Sequence, residues 1–101
     1  MPWLRISLTT PTPGSEAEVE KLFGELENVL STEPGFVMGG CFSGGHERGR
    51  FSIWNTKEDA DKAAVKTNVQ VIRSNIHNLI QAGHQENLFE ITGVQHNIPS
   101  K

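Results

Sequence analysis

Histidine, arginine and tryptophan are the side chains here whose chemistry goes beyond packing. His77 and His84 stand seven residues apart, two turns on one helical face if the helix runs unbroken. An imidazole so placed serves as a general base or a ligand; a surface or lightly buried helix histidine is the plainer reading. Arg5 and Arg50 each supply a fixed cation that holds an anionic group, or else pairs across subunits with Glu90. Ser7 and Ser52 follow them two residues on, which puts hydroxyl groups on the same strand faces. Arg5, Ser7, Arg50 and Ser52 therefore form a candidate substrate-binding set, with His77 and Trp54 as candidate catalytic residues. Trp54 either lines a pocket or fills a subunit contact, and Trp3 anchors the N-terminus.

Other chemistry is excluded or unsupported. The single cysteine, Cys41, falls in a strand-like segment, where a buried thiol without a paired histidine is inert. It has no internal disulfide partner, which suits a reducing compartment. His46 sits in a glycine-rich turn, and His46, His84 and His96 show no metal-ligand spacing. Gly39-Gly40 and Gly44-Gly45 are no phosphate loop, because no lysine follows and no helix starts there. The chain has no tyrosine, so a tyrosine-assisted mechanism is excluded. No metal and no cofactor are expected.

The elements that position these residues are read from periodicity. Leu4, Ile6 and Leu8 alternate with Arg5, Ser7 and Thr9, the period of a strand, and Pro11-Thr12-Pro13-Gly14 stops it. Ser15 and Glu18 form a predicted capping box, followed by Val19, Leu22, Phe23, Leu26, Val29 and Leu30 on one helical stripe. The glutamates off that stripe read as a solvated face. Phe36–Phe42 is a second strand, with a bulge or close backbone approach at Gly39-Gly40, and Phe51–Trp54 returns as a hairpin. Thr56 caps a second helical segment with Asp59 at the box position. That segment runs to a stop at Gly83 as one helix, or as two broken near Thr67-Asn68. Leu88–Val94 closes the chain as a strand.

Size and charge agree with one small domain over residues 1–101. A chain of 101 residues buries roughly 65% of its unfolded surface, enough for one core without staples. A net charge of -3 argues against a nucleic-acid binder. The start, Met1-Pro2-Trp3-Leu4-Arg5, lacks the features of a signal peptide, and no apolar run approaches the roughly 20 residues of a membrane span. A cytoplasmic protein with no nucleic-acid or membrane partner is expected.

The order strand, helix, strand, strand, helix, strand predicts an α+β, ferredoxin-like βαββαβ sandwich with strand order 4-1-3-2. Two helices cover one face of such a sheet. The apolar set Leu4, Ile6, Leu8, Phe51 and Ile53 is expected to face them, leaving Trp3, Arg5, Ser7, Thr9, Arg50, Ser52 and Trp54 outward. A bare face rich in Trp and Arg is interface-like, so a homodimer packed sheet to sheet is predicted.

Glu33-Pro34-Gly35-Phe36-Val37 and the junction Phe51-Ser52-Ile53-Trp54-Asn55-Thr56-Lys57-Glu58-Asp59-Ala60 carry a resemblance that covers roughly residues 3 to 95. There the chain resembles the antibiotic biosynthesis monooxygenase family within the dimeric α/β barrel superfamily. The resemblance implies a dimer, a pocket between sheet and helices, and oxidation of phenols or quinols by dioxygen with neither metal nor flavin. A haem-degrading branch is a poorer match. Its strand-one asparagine is replaced by Ser7 and Thr9, and its helical tryptophan falls where Lys62, Ala63 and Ala64 stand. His77 as a haem ligand lies about one turn late. The reading is thus a cofactor-independent oxygenase-like enzyme acting on a small aromatic or quinol-type compound. The rival is a non-catalytic small-molecule-binding or assembly protein on the same scaffold, and isomerase chemistry is a third option.

Overall fold

A computed structural model describes residues 1–93. The elements are β1 (Trp3–Thr9), α1 (Glu16–Leu30), β2 (Phe36–Gly44), β3 (Glu47–Trp54), α2 (Lys57–Ala64), α3 (Thr67–His77) and β4 (Gln85–Glu90). The strands form one antiparallel sheet in the order β2-β3-β1-β4. This is the expected ferredoxin-like α+β sandwich, with the second helical segment divided in two.

The division falls at Val65-Lys66, just before the expected break. Lys66 takes an extended backbone, with φ -64 and ψ 141. Thr67 and Asn68 open α3 instead of interrupting a helix, and the Asn68 side chain accepts from the Val69 amide at 3.0 Å. Residues that compete for backbone hydrogen bonds suit a first turn. The Thr56 cap forms as predicted, its hydroxyl accepting from the Asp59 amide at 3.1 Å. The Ser15 box does not. The Ser15 hydroxyl is engaged with Thr12 at 2.9 Å, and Glu16 rather than Glu18 reaches back, to the Gly14 amide at 3.1 Å.

Three more boundaries differ from the sequence reading. The helical segment ends at His77, six residues before Gly83, because the chain leaves it to pair with the stretch after β1. Thr12 donates to the Leu79 carbonyl and Gln81 to that of Thr10, each at 2.8 Å. β4 starts at Gln85 and ends at Glu90, so it begins earlier than Leu88; Val94 and His96 lie outside the described residues. The bulge lies between Phe36 and Met38 rather than at Gly39-Gly40. Those two glycines mark the other expectation, a close approach. A Cβ on Gly39 would collide with Glu27 Oε2, and one on Gly40 would lie 2.9 Å from the Phe51 ring.

The largest correction concerns the faces of the sheet. Ser7, Thr9, Arg50, Ser52 and Trp54 point toward the helices and are buried. Leu4, Ile6, Leu8, Phe51 and Ile53, matched across the β1–β3 register, share the opposite face with Phe42 and Phe89. Phe42 and Phe89 are 42% and 51% exposed. Period-two alternation defines two faces without saying which one the helices cover. The helices take the polar face because their own apolar stripes supply the core. Val19, Leu22, Phe23, Leu26 and Leu30 of α1 meet Ala60, Ala63, Val69 and Ile76 over Trp54. Full burial of a residue such as Leu26 contributes about 1.5–3 kcal/mol.

Trp54 is the hinge of this packing. It is 1% exposed, its indole donates to Ser52 Oγ at 2.8 Å, and Phe36 meets it edge-on at 5.4 Å. Gly35 makes the entry to β2 with φ 84, a region closed to most side chains, and Asp59 packs where its side chain would go. The Gly35 carbonyl accepts from the Asn55 amide at 2.8 Å, which locks the two ends of the hairpin together.

Candidate active site

The inverted sheet face creates a pocket. It holds about 430 Å³ between the helix-facing side of β1, β3 and β4 and the inner side of α3. Ser7, Thr9, Arg50 and Glu86 form its floor, and Phe23 and Leu26 of α1 supply an apolar wall. Gln70, Arg73, Ser74 and His77 come from α3, and Ile80 and His84 from the segment that follows.

Four of the chemically active residues singled out in the sequence thus share one cavity: Ser7, Arg50, His77 and His84. Arg5, Ser52 and Trp54 lie beneath it. They surround a void of about 10 Å³ with Arg50 and Arg73, no larger than one water. Trp54 therefore belongs to the core below the pocket, and the reading of Trp54 as filler of a subunit contact is corrected by its burial against α1 and the helices that follow β3.

His77 and His84 come together, though by a different route from the expected helical spacing. His77 ends α3 and His84 stands on the loop into β4, yet their rings meet edge to face at 4.9 Å. Both are exposed at the pocket mouth. His46 sits exposed in the β2–β3 turn. Cys41 is exposed on the edge strand β2, not buried; partial burial and the Glu27 charge push its thiol up, away from thiolate character. No cluster of three His, Cys, Asp or Glu side chains suited to a metal exists among the described residues. No helix among them is long and apolar enough to cross a membrane.

The floor is a charge network that sequence reading missed. Glu86 accepts from Arg73 at 2.7 Å, from Arg5 at 2.9 Å and from Ser7 at 3.4 Å. Burial pushes its carboxyl up, but Arg73, Arg50 and Arg5 outweigh that and hold it below the usual carboxylate range. Arg5 thus pairs with Glu86 inside the chain, where the sequence reading offered an anionic ligand or a partner's Glu90, and reaches Asp61 at 3.5 Å. Arg50 is 2% exposed and donates one bond of 3.4 Å to Glu27 Oε1. Burial pushes Arg50 down, opposed by Glu27 and Glu86.

Glu27 corrects the picture of a wholly solvated glutamate face on α1. Its side chain is 12% exposed, and burial, opposed by Arg50, pushes its carboxyl up to about 7. The signal for it was present: Glu27 is four residues after Phe23 and three before Leu30, on the flank of the apolar stripe. Arg73 is likewise placed four residues after Val69 and four before His77. Glu86 stands two residues before Leu88, on the same strand face, and Leu88 packs on the core.

The sequence matches no family model, and no curated protein matches it. Solved structures do match in shape. The chain is similar to an N63A mutant of SnoaB, a cofactor-independent oxygenase from Streptomyces nogalater. The TM-score is 0.82 at 16% identity, covering 92% of this chain and 95% of that one. Rv0793 from Mycobacterium tuberculosis gives 0.86 at 13% identity, over 95% and 100%. A structure described as an antibiotic biosynthesis monooxygenase gives 0.79 at 14% identity, over 90% and 99%. The chain has the fold of the antibiotic biosynthesis monooxygenases. At these identities the likeness concerns the fold, and the chemistry has to be argued from the pocket.

Proposed function

We propose that this protein is a cofactor-independent oxygenase of a small aromatic or quinol-type compound, working as a homodimer joined through the open sheet face. The observation that carries the reading is the placing of His77 and Arg50 in the walls of one pocket. Such chemistry needs a proton acceptor that faces both substrate and water, and a cation that stabilises the anion left behind. His77 at the mouth takes a proton from an acidic hydroxyl or activated methylene and passes it outward. Arg50, with Arg73, favours the resulting oxyanion. Phe23 and Leu26 give the ring an apolar surface. The anion supplies the electrons: an activated CH₂ gains one oxygen atom and becomes a carbonyl, and the second atom of O₂ leaves with the two hydrogens as water.

The similar fold of a cofactor-independent oxygenase supports this reading. The apolar face of the sheet supports the homodimer. Leu4, Ile6, Leu8 and Phe51 are only half-buried in one chain, and a second copy set on that face removes them from water.

An oxygen electrode tests the activity with a panel of hydroquinones, naphthols and anthrone-like compounds. Uptake that falls at least about 100-fold in His77→Ala supports the assignment, since general-base catalysis contributes factors of that order. No uptake with any compound leaves the non-catalytic ligand-binding reading.

A further inference from the structure

Arg50 is the one pocket cation that reaches out of the pocket, to a carboxylate on its far side. Glu27 meets it through a single bond of 3.4 Å, long for a charge-assisted pair. The other Glu27 oxygen, Oε2, is buried and finds no hydrogen-bond partner among the described residues. It lies over Gly39, at a spot that any Cβ would occupy. Strand β2 thus leaves room for a carboxyl group and provides it with no donor. Glu27 also borders a crevice with Asn28, Ser31 and Met38, which gives protons a route to it that bypasses the pocket.

We propose that Glu27 is a positioning residue that sets how much of the Arg50 charge is available in the pocket, so that the site holds anionic aromatic ligands, carboxylates or phenolates, more tightly when Glu27 is neutral. The proposal rests on the pocket being a ligand site as read above, and does not depend on oxygenation taking place there.

The charges around the pair are few. Arg50 on β3 acts on Glu27, and Glu27 in turn acts on Cys41 of β2. Glu86 on β4 and Arg73 on α3 act on Arg50 from the pocket side, and Arg5 on β1 acts on Glu86. With Glu27 ionised, three guanidinium groups face three carboxylates: Glu27, Glu86 and the half-exposed Asp61 beside Arg5. With Glu27 protonated they face two, and the surplus positive charge lies at the pocket floor. The burial that raises the Glu27 carboxyl places this change near neutral pH. One unit charge roughly 10 Å from a bound carboxylate, at an effective dielectric near 20, changes affinity roughly tenfold.

The test is a fluorescence titration of the wild-type chain and Glu27→Gln with 2-naphthoate, which stays ionised, and 2-naphthol, which stays neutral, between pH 5.5 and 8.5. Wild-type affinity for naphthoate should rise roughly tenfold more than that of Glu27→Gln as pH falls, and naphthol should show no such difference. His77 and His84 act in both proteins, so their share cancels in the comparison. Equal pH slopes in the two proteins overturn the proposal while leaving the ligand site intact. Failure of both probes to bind at any pH overturns the ligand site as well. Should Glu27→Gln not fold, the carboxyl ¹³C resonance of wild-type Glu27 decides. Reciprocity requires its titration midpoint to rise when naphthoate binds, and an unmoved midpoint overturns the proposal.

Discussion

Replacing Glu27 with Gln should flatten the dependence of stability on pH, and the size of the effect follows from the fold. The Glu27 carboxyl, ordinarily near 4.5, is pushed up to about 7 by burial. The folded chain therefore binds more protons than the unfolded one between those values, and stability falls as pH rises through that window. Below 4.5 the contribution is fully present, and above about 7 it is lost. The difference corresponds to about 3 kcal/mol, trimmed to about 2 kcal/mol by water reaching the carboxyl from its crevice. Gln keeps the shape and leaves an oxygen to accept from Arg50 Nη1. Glu86 still compensates the Arg50 charge, so the usual penalty for a stranded buried cation is reduced. Urea unfolding at fixed protein concentration, at steps from pH 5 to 8, reads the effect. The wild-type curve should lose about 2 kcal/mol relative to Glu27→Gln across the range. Other groups titrate in both proteins and drop out of the difference. A constant gap between the two curves would refute the claim that Glu27 is buried at a cost.

Three further outcomes are expected. Glu86→Gln should take the carboxylate partner from Arg73, leave Arg5 with only the longer Asp61 contact, and cost about 2–4 kcal/mol at pH 7 in the same unfolding assay. Because the Glu86 carboxyl is held low, that deficit should shrink as pH falls below 4.5 and the native carboxylate is lost. Gly39→Ala places a Cβ against Glu27 Oε2 and 2.9 Å from the Phe51 carbonyl, and should cost about 1–3 kcal/mol, read as a lower urea midpoint. Ile6→Lys on the open sheet face should convert the proposed dimer to a monomer; light scattering should fall from twice the 11.1 kDa chain mass to that mass, with the far-UV spectrum unchanged.

The order of elements was legible because each follows from a local rule. Alternation at Leu4–Thr9, the stripe from Val19 to Leu30 and the Thr56 cap required no knowledge of distant contacts. The sheet order and the close approach at Gly39-Gly40 also held, but other inferences that depended on such contacts failed. The helix stop was assigned to Gly83, since glycine ends helices, whereas the backbone pairing of Leu79 and Gln81 with Thr10 and Thr12 ends α3 at His77. Candidate site residues fared similarly. Ser7, Arg50 and His77 were singled out by side-chain type and do share the pocket, but Glu27, Arg73 and Glu86 matter through charges that become neighbours only when the sheet is assembled.

The inverted sheet face links these failures to function. Sending the more apolar face to the helices would be the better choice for a single chain whose only need is a core. Here Trp54 and Phe36 give the helices an apolar anchor at one end of the sheet, and toward the other end the same face carries Ser7, Thr9 and Arg50 under a pocket. A buried arginine is tolerable there because Glu27 and Glu86 flank it. The apolar residues displaced by that arrangement, Leu4, Ile6, Leu8 and Phe51, are left on the far side, where one chain alone cannot cover them. The polar pocket and the sticky outer face are therefore two results of one choice of register. The proposed second copy on the outer face would be the complement that makes a polar interior compatible with a stable fold.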